Sequence, residues 1–238
     1  RHLPSFLLRL ALALVLLLTW AGPAQMQGPS DAGPEPYELC GSPRFAPTTI
    51  ELARTVSRRT LTPEELRAQG KADAQGTALA DTVGQRRTFW ASDMRDYSFY
   101  QVSATCKKVG THCYVYLEDG KNVSDAVLTN IAAEFDNNIY TTDTATFGSE
   151  PNPGIDGDPR VYLLLLDIRD SYSTSGVYIA GYFHSVNEYP NSALPTPYAG
   201  YSNEKEMLYI DLNPGQLGSA SSYGTVAHEF QHMIHWNN

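Results

Sequence analysis

The run RVYLLLLDI, Arg160–Ile168, decides the architecture. From Val161 to Leu166 there is no charged or amide side chain, and the hydroxyl of Tyr162 is the one polar group. Successive strand residues point to opposite faces, so an apolar run without alternation predicts a strand covered on both sides. Working outward, TFWASDMRDYSFYQVSATC (88–106) and HCYVYLED (112–119) are rich in aromatic and β-branched residues, which suits paired strands. GVYIAGYF (176–183) predicts a weaker strand, and MLYIDL (207–212) another, closed by NPGQLGS. Between them, VSDAVLTNIAAEFDNNIY places Val127, Leu128, Ile131, Phe135 and Ile139 at helical spacing behind a capping Ser124. The chain ends on a second helical pattern. Val226, Phe230, Met233 and Ile234 share a face there, and Ser221 and Ser222 are the available caps. Strands, helix, strands, helix is the order of an α+β or mixed α/β layer.

The 238 residues hold enough apolar material for a core, 42% by composition, while 18 Gly, 15 Pro and 15 Tyr point to loops and sheet rather than a helical bundle. A net charge of −9 argues against a nucleic-acid partner, whose phosphates need a broad basic surface to neutralise them.

The first 24 residues carry Arg1 and Arg9, an apolar run from Leu10 to Leu18 and small residues up to Ala24, the order of a secretory signal. The apolar run falls short of the roughly 20 residues of a membrane span. Export is therefore the expectation, with no stable membrane span once the signal is cleaved. Residues 25–47 are dense in Pro, Gly and Ser and too poor in apolar side chains to fold alone. Farther on, LTPEELRAQG offers Thr62 as a cap, Pro63 at the first helical position and Glu65 at the third. Residues 25–87 together have the composition of a linker or pro-segment, with an ordered domain over 88–238.

Export permits disulfides. Cys106 and Cys113 bracket KKVGTH between two strand patterns and are the expected pair; Cys40 is left over, unpaired or paired elsewhere.

The chemistry concentrates in TVAHEFQHMIHWNN, Thr225–Asn238. His228 and His232 stand four apart on a helix, so both imidazoles can address one ion. Glu229 is rotated by about 100° from His228, beside such an ion rather than on it. Two neutral imidazoles holding Zn²⁺, with a carboxylate next to an open position, are what hydrolysis by a metal site needs. His235 shares that face but lies roughly 10 Å along the axis from His228, too far to close the same tetrahedron, so a role in supporting the ligands or in packing is expected. His112 and His184 are expected as ordinary strand or loop residues, and Glu204, Glu206 and Asp211 as solvated charges. The turn GIDGDP carries Asp156 and Asp158, oxygen donors that Ca²⁺ accepts. The remaining ligands of a calcium loop are missing, which favours a plain turn. MLYIDL is a candidate sheet edge for an extended peptide.

The stretch YGTVAHEFQHMIHW, Tyr223–Trp236, resembles the active-site helix of secreted bacterial zincin metallopeptidases of the hyicolysin type and their immune-inhibitor-A-like relatives, and GDPRVYLLLLDI, GVYIAGYF and MLYIDLNP are similar to the strands that precede it. The resemblance implies an α+β, zincin-like mixed sheet packed on an active-site helix, a protein or peptide substrate, His228 and His232 as zinc ligands and Glu229 as general base. It also implies a third ligand, a Glu from a following helix beyond Asn238, so that the chain by itself is expected to hold zinc weakly and turn over little. Two readings from other classes stay open: a cell-surface binding module with a non-catalytic HExxH helix, and a zinc hydrolase acting on something other than peptide.

Overall fold

The computed structural model describes residues 36–238, and the expected leader over 1–24 lies outside them. Seven strands form one mixed sheet: β1 (Tyr37–Cys40), β2 (Arg86–Ser92), β3 (Phe99–Val109), β4 (Cys113–Glu118), β5 (Val161–Leu166), β6 (Val177–Phe183) and β7 (Met207–Asp211). Their spatial order is β1-β6-β7-β5-β4-β3-β2. β4, β5 and β7 run parallel to one another, β2, β3 and β4 form an antiparallel meander, and β6 is antiparallel to β7. β5 lies at the centre, and all six of its residues are buried. The α+β expectation is met by this mixed sheet and its helices.

One face of the sheet carries the helices. Along β5, Val161, Leu163 and Leu165 pack with Cys113, Val115 and Leu117 of β4 and with Leu128, Ile131, Phe135, Phe230, Met233 and Ile234. These helical residues come from α3 (Asp125–Glu134), the π-helical turn Phe135–Ile139 that continues it, and the last helix. α4 (Tyr140–Phe147) extends the same rod beyond the expected end at Tyr140. The Ser124 side chain caps α3 by accepting from the Val127 amide at 3.3 Å.

The opposite face is layered with tyrosines. Tyr114, Tyr116, Tyr162, Tyr182 and Tyr209 pack with Phe45, Phe89 and Met94. Their hydroxyls need partners. Tyr116 donates to Asp81 at 2.5 Å and Tyr162 to the same carboxylate at 3.1 Å, while Tyr114 donates to Asp158 at 2.5 Å.

This arrangement corrects the cysteine pairing. Cys106 belongs to the tyrosine face and Cys113 to the helix face, so the two side chains leave the hairpin in opposite directions. A disulfide needs converging Cβ atoms, and both thiols are free. A register shift between Cys106 and Lys108 produces the mismatch, because one extra residue reverses the alternation that spacing alone implies.

The Pro- and Gly-dense stretch also contributes to the fold. From Tyr37 it supplies β1, parallel to β6 at the sheet margin, then α1 (Ala46–Thr55), whose Leu52 is fully buried. A four-residue strand that takes its pairing from a neighbour needs no core of its own. Downstream, α2 (Pro63–Ala68) has the full capping box: Glu65 N donates to Thr62 Oγ1 at 3.2 Å and Thr62 N to Glu65 Oε2 at 2.8 Å.

A short helix α5 (Tyr172–Ser175) leads into β6, and α6 (Ala220–Asn237) closes the chain. The cap of α6 is Ser219, two residues before the expected position, accepting from Ser222 N at 3.1 Å. β7 lies between β5 and β6 with both sides paired. The expectation that MLYIDL offers a free edge is therefore overturned. The strands at the margins are β1 and β2.

Candidate metal centre

α6 lies across β6, and Gly181 lets it approach. A Cβ at Gly181 would stand 2.9 Å from Thr225 Cγ2, 2.9 Å from the Tyr209 carbonyl oxygen and 3.2 Å from Glu229 Cγ. Any larger residue would push the helix off the strand beneath the motif.

On that helix, His228 Nε2 and His232 Nε2 stand 3.1 Å apart with rings nearly perpendicular. The i, i+4 spacing thus aims both nitrogens at one point. Glu229 is 1% exposed, against an exposed His228, and its carboxylate faces inward toward the sheet margin. Oε2 accepts from Ser42 Oγ at 2.5 Å, and Oε1 has no hydrogen-bond partner. Burial raises the Glu229 carboxyl above its ordinary range, opposed by the Ser42 hydrogen bond. Burial, with His228 and His235 nearby, lowers His232 to about 4, so its imidazole is neutral at physiological pH.

A third donor stands with the histidines, and spacing along the chain did not reveal it. Cys40 Sγ, on β1, is 3.4 Å from His232 Nε2, and the donor atoms of Cys40, His228 and His232 lie within 4.8 Å of one another. The residues fit a zinc ion. With bonds of about 2.0–2.1 Å to nitrogen and 2.3 Å to sulfur, tetrahedral geometry puts two nitrogens roughly 3.3 Å apart and nitrogen and sulfur roughly 3.6 Å apart. The observed 3.1 Å and 3.4 Å are each within a few tenths of those separations. Burial first, and the Glu229 charge second, push the Cys40 thiol up to about 12. A bound divalent cation would deprotonate a coordinating thiol regardless.

Register explains how Cys40 arrives there. Tyr37, Glu38 and Leu39 pair with Val177, Tyr178 and Ile179, then the ladder slips so that Cys40 pairs with Gly181. Such a slip re-aims the side chain that follows it. Gly41 then presses against the sheet, where an added Cβ would come within 2.9 Å of Ile179 Cγ2. Beside the histidines opens a cleft of about 380 Å³, whose wall includes Glu38, Cys40, Ala180, Thr225 and Glu229.

The other candidates lie elsewhere. His235 is exposed and makes an edge contact with Phe147 at 5.6 Å. His184 is buried between Phe45 and Phe99, and burial lowers it to about 3. His112 stacks on Tyr140. The expectation of solvated charges at Glu204, Glu206 and Asp211 is corrected: all three are buried. Asp211 accepts from the amides of Ile168, Asn213 and Gly215, fixing the turn after β7. Asp156 forms an ion pair with Lys205, and Asp158 faces Tyr114 and Arg160. Protein cations and a phenol thus hold the carboxylates that a calcium ion would use.

No protein-family model matches the chain. Over 182 residues it is 32% identical to the neutral metalloprotease ShpI of Staphylococcus hyicus, a match covering 74% of this chain and 38% of the relative. The chain is therefore related to a metalloprotease and spans well under half of that relative's length.

Proposed function

We propose that the chain carries the metal-binding half of the active site of an exported zinc metalloendopeptidase. The observation that carries this reading is the convergence of His228 and His232 Nε2 at 3.1 Å with the buried Glu229 carboxylate on the next residue along the helix. The likeness to a metalloprotease supports it, and the leader-like composition of residues 1–24 supports export.

His228 and His232 would hold the ion through Nε2. When bound, zinc supplies a Lewis acid that polarises a peptide carbonyl and makes a water acidic near neutral pH. Glu229 accepts the water's proton on a carboxylate oxygen and returns it to the nitrogen of the departing amine. Its burial suits both halves of that cycle, because a carboxyl with a raised pKa accepts a proton readily at neutral pH and releases it to an amine. The cleft between β6 and α6 gives the substrate room next to these groups.

Elemental analysis tests the reading. One zinc per chain is expected, lost in His228→Ala and His232→Ala and retained in Glu229→Gln. Peptide hydrolysis by the zinc-loaded protein should disappear with a chelator. A chain that takes up no stoichiometric zinc supports the binding-module alternative instead. Hydrolysis of esters but not peptides would favour a different substrate class.

A further inference from the structure

A zinc site that acts on a substrate has three protein ligands and one open position. The motif on α6 contributes two of the three, and the resemblance places the third after Asn238. The structure holds a candidate within the described residues. Cys40 Sγ is 3.4 Å from His232 Nε2, and the donor atoms of Cys40, His228 and His232 lie within 4.8 Å of one another. Among the described residues, no other three His, Cys, Asp or Glu side chains converge in this way. Zinc accepts thiolate sulfur as readily as imidazole nitrogen.

Neighbouring contacts hold the sulfur in place from both sides. Two residues before it, the Glu38 carboxylate accepts from Tyr178 Oη at 2.8 Å and from Ser221 Oγ at 3.0 Å, tying β1 to β6 and to the first turn of α6. Just after it, Gly41 N donates to the Gly181 carbonyl at 2.9 Å, and Phe183 N donates to Ser42 Oγ at 2.7 Å. A donor presented by backbone fixed on both sides loses little conformational freedom when an ion arrives. His228 is exposed, so its ring can rotate to close the remaining side of the triangle. Glu229, whose buried Oε1 has no partner, lines the same cleft as Cys40 and His228.

We propose that Cys40 is the third protein ligand of the metal, completing a His228, His232 and Cys40 set whose fourth position opens onto the cleft beside Glu229. This rests on the peptidase reading for the two histidines and adds the identity of the remaining ligand. When the ion binds, the Cys40 S–H bond breaks, its proton passes to solvent and the sulfur electron pair forms the metal–sulfur bond. The metal stays divalent, and no oxidant or reductant is involved. The thiolate brings the single negative charge that a carboxylate brings to a centre of two histidines and one glutamate. The chain then holds zinc tightly by itself, contrary to the expectation from the motif alone.

Cobalt substitution of the full chain tests the assignment. Co²⁺ held by the histidines gives visible d–d absorption, and a thiolate bound to it adds a near-ultraviolet charge-transfer band. Both are expected in the wild type. Cys40→Ser should keep the visible bands and lose the near-ultraviolet one, whereas the double variant Cys106→Ala, Cys113→Ala should keep both. In competition with a chelator, Cys40→Ser should weaken zinc binding by about a hundredfold or more, since even the partners of metal ligands are worth about 10–100-fold. In the wild type, bound zinc should slow alkylation of Cys40 by about tenfold or more, because coordination withdraws the thiolate that reacts. Acetohydroxamate should shift the visible bands by entering the open position. Visible bands without the charge-transfer band in the wild type, a charge-transfer band that survives Cys40→Ser, or unchanged zinc affinity in that variant would overturn Cys40 as a ligand and leave the histidine site standing. Visible bands that ignore acetohydroxamate would overturn the open fourth position. Cobalt spectra unchanged in His228→Ala and His232→Ala would overturn the peptidase reading, and the proposal with it.

Discussion

Ser42 and Glu229 are 187 positions apart in the chain and share a 2.5 Å hydrogen bond inside the fold. The bond gives one oxygen of a buried carboxylate its partner, and the same serine oxygen accepts from Phe183 N. Ser42→Ala removes donor and acceptor together. A buried polar group left without its partner costs about 1–3 kcal/mol. Denaturant unfolding of the metal-free protein should show a loss in that range, and a loss below about 0.5 kcal/mol would mean that water substitutes for the hydroxyl.

Glu229→Gln keeps the shape of the side chain and removes its basicity. Zinc content should stay at the wild-type level while peptide hydrolysis falls by about 10²–10⁴-fold. An undiminished rate would assign the proton transfer to another group.

Cys106 and Cys113 point to opposite faces of the sheet. Unfolding the chain without reductant should expose three titratable thiols, counting Cys40. Reductant should leave the midpoint of thermal unfolding where it was. A titre of one thiol would restore the hairpin disulfide.

Gly181 tolerates no Cβ, because the Tyr209 carbonyl oxygen stands 2.9 Å from the position it would take. Gly181→Ala should destabilise the protein by about 1–3 kcal/mol through overpacking. Since Thr225 and Glu229 lie above the same position, zinc affinity should fall as well. Lost stability with unchanged zinc affinity would show that the helix tilts without moving the motif.

Glu206 and Glu188 form a buried acidic pair. Burial first, and the charge of Asp156 second, raise Glu206 to about 8, while burial and Glu206 drive Glu188 well above its usual range. A carboxyl whose folded pKa is raised contributes stability that is fully present below its unfolded value and is lost as pH climbs through the folded one. Wild-type stability relative to Glu206→Gln should therefore decline between about pH 4.5 and pH 8, with a slope of up to about 1.4 kcal/mol per pH unit for one proton. Urea midpoints of both proteins across that window test this. Parallel curves would place the carboxyl in its ordinary range.

The strands were readable because their side-chain pattern is local. The unbroken apolar run of β5 announced a strand covered on both faces, and it lies at the sheet centre. Ser124 and Thr62 announced their helices through hydroxyls placed one residue before each start. In the site, i, i+4 spacing was enough to bring His228 and His232 together. Cys40 was not readable, because its position depends on a parallel pairing with a strand about 140 residues away and on a one-residue slip in that pairing. The available signal was indirect: an odd cysteine, a soft zinc ligand, in a chain whose motif supplies only two of three ligands. Glu204, Glu206 and Asp211 misled for a related reason. Their partners are backbone amides, Lys71 and a second buried acid, none of which local composition displays.

The position of β1 has a bearing on solubility. Were Tyr37–Cys40 to detach, β6 would present a row of unpaired amides and carbonyls on a strand whose residues are mostly buried. Such a margin is a template for intermolecular strand addition and fibrillar association. A variant truncated before Gly41 should therefore self-associate in a concentration-dependent way, and lysines introduced at the outer positions of β6 should suppress it.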